Sequence, residues 1–447
     1  MKGFIEKPRY FCALGGALAT IKALPQKTIP IIHASSGCGG NLSAALNRAC
    51  GYAGGGYCSG HSMPSTNVIE RDIIFGGEDR LREQIKNTLE IMDGDLYIVV
   101  TGCMVDMIGD DSESVTKEFS DYKAPVLFAE TGGFKGNSYK GYDLVLQTIF
   151  KNFVEKTDEK EEKTVNLFGI VPFQDIFWEG NLRILKELIN KLGYKANTFF
   201  GEGETLEDLK KSSKAILNIV VSNVFGIDAA QVFEQEHEIP FITVDLPIGE
   251  KGTERFLKTI GKELSVSEKK VQEVIDKEKK YYYKYLGKVA DNYDNFDFQR
   301  YAVVVGDSNY TQALTRFLAD DLGWLPELVV VTDMLDDDEQ GEVLRGFENY
   351  DSGFKANVVF DTNSSNISKY LESIWPDNGR GKYSNSFSPA FVIGGSLERE
   401  FAKKIGAQHL SITYPVTDRV IMDRGYVGYK GALRLIEDIF SILVENR

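Results

Sequence analysis

Short apolar runs recur along this chain, several of them closing on glycine or serine and followed by apolar residues at helical spacing. Runs of four to eight such residues belong to strands of parallel sheets covered on both faces. In the first part of the chain they predict strands over 29–32, 95–101 and 124–129, with a helix over 77–92. Residues 155–163 are almost wholly charged, which predicts a solvated linker or an exposed helix end. Strands over 164–171, 196–200, 216–221 and 241–244 then alternate with helices over 181–192 and 205–213. From 265 to 300 the chain is charged and helical, with the tyrosine run Tyr281–Tyr283, and reads as one long bridging helix. The last part predicts strands over 301–306, 328–332, 357–360 and 391–393, a helix over 311–320, and another helix after Gly394-Gly395-Ser396. Such alternation implies right-handed βαβ units. The expected fold class is α/β, with three doubly wound (Rossmann-like) domains built on parallel sheets. Their expected bounds are 1–160 for an N-terminal cysteine-containing domain, 161–297 for a second domain with a helical linker, and 298–447 for a third.

The length supports that division, since 447 residues suggest about three domains. Composition is that of a globular protein, 43% hydrophobic and 26% charged, which excludes disorder or a fibrous repeat. With 51 basic against 66 acidic side chains the formal charge is −15, unsuited to non-specific nucleic-acid binding. No apolar run reaches the ~18 residues that span a bilayer, and the first residues lack an apolar signal core. A cytoplasmic protein with no membrane or nucleic-acid partner is therefore expected.

The motifs of ATP hydrolysis and zinc chemistry are missing. No G-x-x-x-x-G-K-[S/T] loop occurs, and Gly306-Asp-Ser-Asn and Gly394-Gly395-Ser396 are turns whose glycines serve backbone geometry first. The four histidines include no i, i+4 pair. His237, among charges, is expected to be solvated; His33, at a strand end, is expected to pack through hydrogen bonds, with tuning of a nearby cluster as the alternative.

Cysteine placement carries more information. All five (Cys12, Cys38, Cys50, Cys58 and Cys103) lie in the first 103 residues, an outcome with a chance of roughly 0.0007 for random placement. An odd number argues against a disulfide framework. Cys38 and Cys103 each follow a glycine at the end of a predicted strand, where open α/β sheets build sites. Neighbouring glycines let a bulky group approach and offer N–H groups to sulfur. These features leave cluster ligation and buried structural cysteines equally open, with a catalytic thiol less favoured for want of a histidine partner.

The segments Cys12-Ala-Leu-Gly-Gly-Ala, His33-Ala-Ser-Ser-Gly-Cys38, Ile69-Glu-Arg-Asp-Ile-Ile-Phe-Gly-Gly77 and Thr101-Gly-Cys103-Met-Val-Asp-Met-Ile-Gly-Asp-Asp111, in that order, resemble nitrogenase component 1 and its relatives. The tail from Tyr414 to Arg434 resembles the end of the β-type subunit. That resemblance implies that Cys12, Cys38 and Cys103 bind a P-cluster-like iron–sulfur cluster, [8Fe-7S] or [4Fe-4S], shared with an α-type partner in an α2β2 heterotetramer. It also implies an ATP-dependent iron protein as electron donor and places no catalytic residue in this chain. Cys50 and Cys58 match no ligand position. The serine ligand of some β-type chains has no counterpart in Thr131-Gly-Gly133, and residues 104–447 contain no cysteine to anchor an active-site cluster. The expected role is thus electron relay to an α-chain site. The alternatives are a nitrogenase-like reductase of another substrate, such as a methylthioalkane or tetrapyrrole, a cluster-assembly scaffold, and a redox-silent α/β protein.

Overall fold

The computed structural model describes residues 9–25, 27–52, 63–295, 297–375 and 387–445. Strands β1 (Thr28–His33), β2 (Leu96–Thr101) and β3 (Val126–Ala129) form a parallel sheet in chain order. All of β2 is buried, as its unbroken apolar run requires. Alternation along the strands divides their side chains between two layers. Ile29, Ile31, Tyr97 and Val99 pack outward on Leu81 and Ile85. Ile32, Ile98 and Val100 face inward to the main core with Leu14, Ala17 and Leu18.

The helices of this part are α1 (Ala13–Ala23), α2 (Ser36–Arg48), α3 (Glu70–Phe75), α4 (Glu78–Ile91), α5 (Cys103–Ile108), α6 (Ser112–Lys117) and α7 (Ser138–Asn152). α1 and α7 cross in backbone contact. A Cβ on Gly16 would fall 1.8 Å from the Ser138 carbonyl oxygen, and one on Gly141 would fall 1.9 Å from that of Ala13. Glycine at both positions is therefore a condition of the crossing.

A second parallel sheet holds β4 (Thr164–Phe168), β5 (Lys195–Asn197), β6 (Asn218–Val220) and β7 (Phe241–Thr243) in the order β5-β4-β6-β7. The third holds β8 (Tyr301–Gly306), β9 (Leu325–Val331), β10 (Asn357–Phe360), β11 (Ala390–Gly394) and β12 (Gln408–Ser411) in the order β10-β9-β8-β11-β12. Both sheets reverse direction about their first strand, the doubly wound arrangement. The α/β class with three parallel sheets is the one predicted.

Several local expectations change. The bridging helix is two helices, Glu268–Leu286 and Ala290–Asn295. The helix expected over 311–320 starts earlier, at Ser308, because Asp307 caps it by accepting the Tyr310 N–H. His237 is buried, not solvated: it lies one turn beyond Phe233 and two beyond Ala229 on the packed face of the helix Ile227–His237. Its Nε2 stands 2.8 Å from the Phe150 carbonyl oxygen. No helix among the described residues is long and apolar enough to cross a membrane.

Candidate metal centre

The three candidate cysteines all begin helices. Cys12 is the residue before α1, Cys38 lies in the first turn of α2 directly after β1, and Cys103 is the first residue of α5 directly after β2. β1 and β2 pair in parallel with His33 opposite Thr101, so the Cys38 and Cys103 loops leave the sheet side by side at its carboxyl edge. The loops also touch, since a Cβ on Gly102 would lie 2.7 Å from the Ala34 Cβ. Helix starts supply free main-chain N–H groups and favour negative charge.

Cys12 reaches the same edge by another route. The α1–α7 crossing sets it beside Asn137, with which it forms an isolated antiparallel bridge. The segment before it is tied to the third sheet: Arg9 pairs with Glu398 and donates to the Tyr414 carbonyl at 2.7 Å. The Tyr10 hydroxyl lies 2.7 Å from Thr332 Oγ1, and the Phe11 ring packs edge-on against Tyr414.

Gly133 lies between two of the cysteines. A Cβ built there would lie 2.8 Å from Cys103 Sγ and 3.4 Å from the Cys12 Cβ, and its N–H donates to Cys103 Sγ at 3.2 Å. Cys38 Sγ is 3.6 Å from Ser35 Oγ. All three thiols are free and at least partly exposed, and among the described residues nothing lies within 4 Å of a Cβ built on Gly37 or Gly40. Soft thiol donors, a main-chain N–H aimed at sulfur and glycine beside them suit a sulfide-rich cluster. Among the described residues no three His, Cys, Asp or Glu side chains converge on a single ion.

The other cysteines differ. Cys50 follows α2, is buried at 2% exposure and is bridged to Val416, and burial pushes its thiol up. Cys58 lies outside the described residues. Thr131 does not offer its hydroxyl to the edge, because it donates to the Thr101 carbonyl at 2.9 Å.

Two further groups lie at this edge, of which the sequence singles out only His33. Asp106, one turn beyond Cys103, sits against Gly132 with Oδ2 unpartnered, its carboxyl raised by burial. His33, fully buried, holds Thr66 Oγ1 and Asp110 Oδ2, each at 3.1 Å, as the packing reading expected. Burial depresses its basicity and Asp110 partly restores it. Exposed apolar side chains flank the same edge: Ile74 and Phe75 on α3, Met107 on α5, and Phe134 beside Gly133.

The model of the nitrogenase component 1 type oxidoreductases matches residues 12–443. The nitrogenase molybdenum-iron protein beta chain of Methanococcus maripaludis is 24% identical, over 99% of this chain and 95% of its own length. The alpha chain of Methanothermobacter thermautotrophicus is 23% identical, over 96% and 87%. A light-independent protochlorophyllide reductase chain of Leptolyngbya boryana is 22% identical, over 84% and 73%. A solved structure titled "Nitrogenase Cp1 at pH 6.5" superposes with a TM-score of 0.80 at 20% identity, covering 100% of this chain and 94% of that one.

Proposed function

This chain belongs to the nitrogenase component 1 type oxidoreductases, and from that premise we propose that it is the β-type, electron-relaying half of a nitrogenase-like reductase. Cys12, Cys38 and Cys103 hold one side of an iron–sulfur cluster, P-cluster-like [8Fe-7S] or [4Fe-4S], shared with an α-type chain. When bound, that cluster supplies one-electron storage between an ATP-dependent iron protein and the α-chain site. The meeting of Cys12 and Cys103 about Gly133, beside the Cys38 loop, is the observation that carries this reading.

Each part of the chain has a task in it. The sheet edge fixes Cys38 and Cys103, the helix crossing and the Arg9–Glu398 pair fix Cys12, and the Gly133 N–H lends a hydrogen bond to sulfur. Such bonds, with burial, set a cluster's potential. Three thiolates are too few to enclose an eight-iron cluster, so a partner must complete it. The exposed Ile74, Phe75, Met107 and Phe134 support a partner docking over this edge, because large apolar side chains gathered on one face mark an interface more often than isolated ones do. Similarity to alpha, beta and protochlorophyllide reductase chains at nearly equal identity does not choose the subunit type; the absence of cysteine from 104–447 supports the β-type reading. The assembly is an α2β2 heterotetramer working in the cytoplasm, where thiols stay reduced.

The test is anaerobic copurification with the candidate α-type chain, followed by metal analysis and electron paramagnetic resonance (EPR). An iron-bearing complex that loses its iron when Cys12, Cys38 or Cys103 is replaced by alanine is expected. A monodisperse, cluster-loaded monomer would overturn the reading.

A further inference from the structure

The last residue of β1 touches both ends of the helix that carries Cys103. At the start of α5, the Gly102 N–H donates to the His33 carbonyl at 3.0 Å. Beyond its end, Asp110 places Oδ2 3.1 Å from His33 Nε2. α5 has only six residues, too few to hold its own position.

The other ring nitrogen faces the Cys38 loop. His33 Nδ1 lies 3.1 Å from Thr66 Oγ1, which accepts the Ala34 N–H at 3.2 Å, one residue before the Ser35 that begins α2. A neutral ring protonated on Nε2 donates to the carboxylate and leaves Nδ1 to accept the Thr66 hydroxyl proton, for which the Ala34 carbonyl at 3.3 Å is the other acceptor. Asp110 is itself fixed, since both of its oxygens accept the Gly77 N–H at 3.0 Å. A Cβ on Gly77 would fall 2.7 Å from Asp110 Oδ2 and 3.0 Å from His33 Cε1, which leaves no room for any side chain there.

We propose that His33 is a positioning residue for the metal centre: through Asp110 and Thr66 it fixes the Cys103 helix relative to the Cys38 loop, and so sets the spacing of two cluster thiolates. The inference rests on the reading of those cysteines as ligands. Packing alone would ask only for a buried ring, whereas here the carbonyl and Nε2 hold the two ends of the Cys103 helix and Nδ1 holds Thr66, which is bonded to the start of the Cys38 loop.

The experiment uses the anaerobically purified holoprotein with its partner. His33→Leu, His33→Gln, Asp110→Asn and Cys38→Ala are compared by melting temperature, iron per chain, EPR signature and cluster midpoint potential. His33→Leu is expected to melt cooperatively while iron falls at least twofold, or the EPR signature and midpoint potential shift in what remains. His33→Gln, whose amide can still donate to Asp110, should recover most of both. Asp110→Asn, a milder change, gives the same direction of effect should His33→Leu fail to fold. A folded His33→Leu (or, in its place, Asp110→Asn) with wild-type iron, EPR and potential, beside a Cys38→Ala that loses its iron, overturns the inference alone. Full iron in Cys38→Ala overturns the ligand reading and the inference with it.

Discussion

Replacing Gly133 by alanine tests the meeting of Cys12 and Cys103 with one methyl group. Gly133 does not need a left-handed backbone, so the effect is steric. The new Cβ would stand 2.8 Å from Cys103 Sγ and 3.4 Å from the Cys12 Cβ. Ordinary contact begins at about 3.5–4.0 Å, so the sulfur must retreat by roughly 0.7–1.2 Å. Overpacking of that kind costs about 1–3 kcal/mol, against about 0.4–1 kcal/mol regained from a stiffer unfolded chain. Melting should therefore fall only slightly, while a ligand displaced by about 1 Å loosens the site. Iron per chain in anaerobically purified protein should drop at least twofold. Gly341→Ala is the control, because a Cβ there meets nothing within 4 Å and sits in the helix Asp337–Arg345. That change should stabilise by about 0.5–1 kcal/mol and leave iron untouched. Wild-type iron content and absorption in Gly133→Ala would refute the reasoning.

Alanine at Cys12, Cys38 or Cys103 should deplete iron, whereas Cys50→Ala should keep it and cost only the packing of a small buried side chain, ~1 kcal/mol by denaturant titration. Glu398→Ala strands the Arg9 charge, buried at 5% exposure, and should cost about 3–5 kcal/mol; adding Arg9→Met should recover part of that loss in a double-mutant cycle. Asp307 and Asp333 are both buried; burial raises both carboxyls, and the Asp333 charge raises that of Asp307 further. The contribution of a raised carboxyl is full below its unfolded value of about 4 and is lost as pH climbs through the folded value, at most about 1.4 kcal/mol per pH unit per group. Asp307→Asn, whose amide oxygen can still cap Tyr310, should flatten that decline relative to wild type in denaturation midpoints taken from pH 5 to 9.

What the sequence made legible follows from which interactions are local. Strand 301–306 appears as β8 and strand 357–360 as β10, because parallel strands are contiguous apolar runs that need no partner to be recognised. α1 was not predicted, and it has almost no polar face to betray a helix: ten of its eleven residues are buried. α7 was missed as well, and its crossing with α1 depends on Gly16 and Gly141, 125 residues apart. His237 went wrong for a related reason. Its neighbours in sequence are charged, but its neighbours in space are Phe233 and Phe150. The strand ends and glycines around Cys38 and Cys103 were visible; that both cysteines begin helices was not.

The segments that carried the family resemblance acquire a physical reason only in three dimensions. His33, Gly77 and Asp110 lie in three separate stretches, and nothing in their spacing relates them. Folded, they form one contact set in which the missing side chain of Gly77 lets the Asp110 carboxylate reach His33. Gly133 does the same for Cys12 and Cys103. In both places glycine is read in sequence as a turn former and acts in the structure as clearance between two side chains. Enlarging either glycine should therefore disturb the proposed metal centre before it disturbs the fold, since neither Gly77 nor Gly133 belongs to a strand of the three sheets.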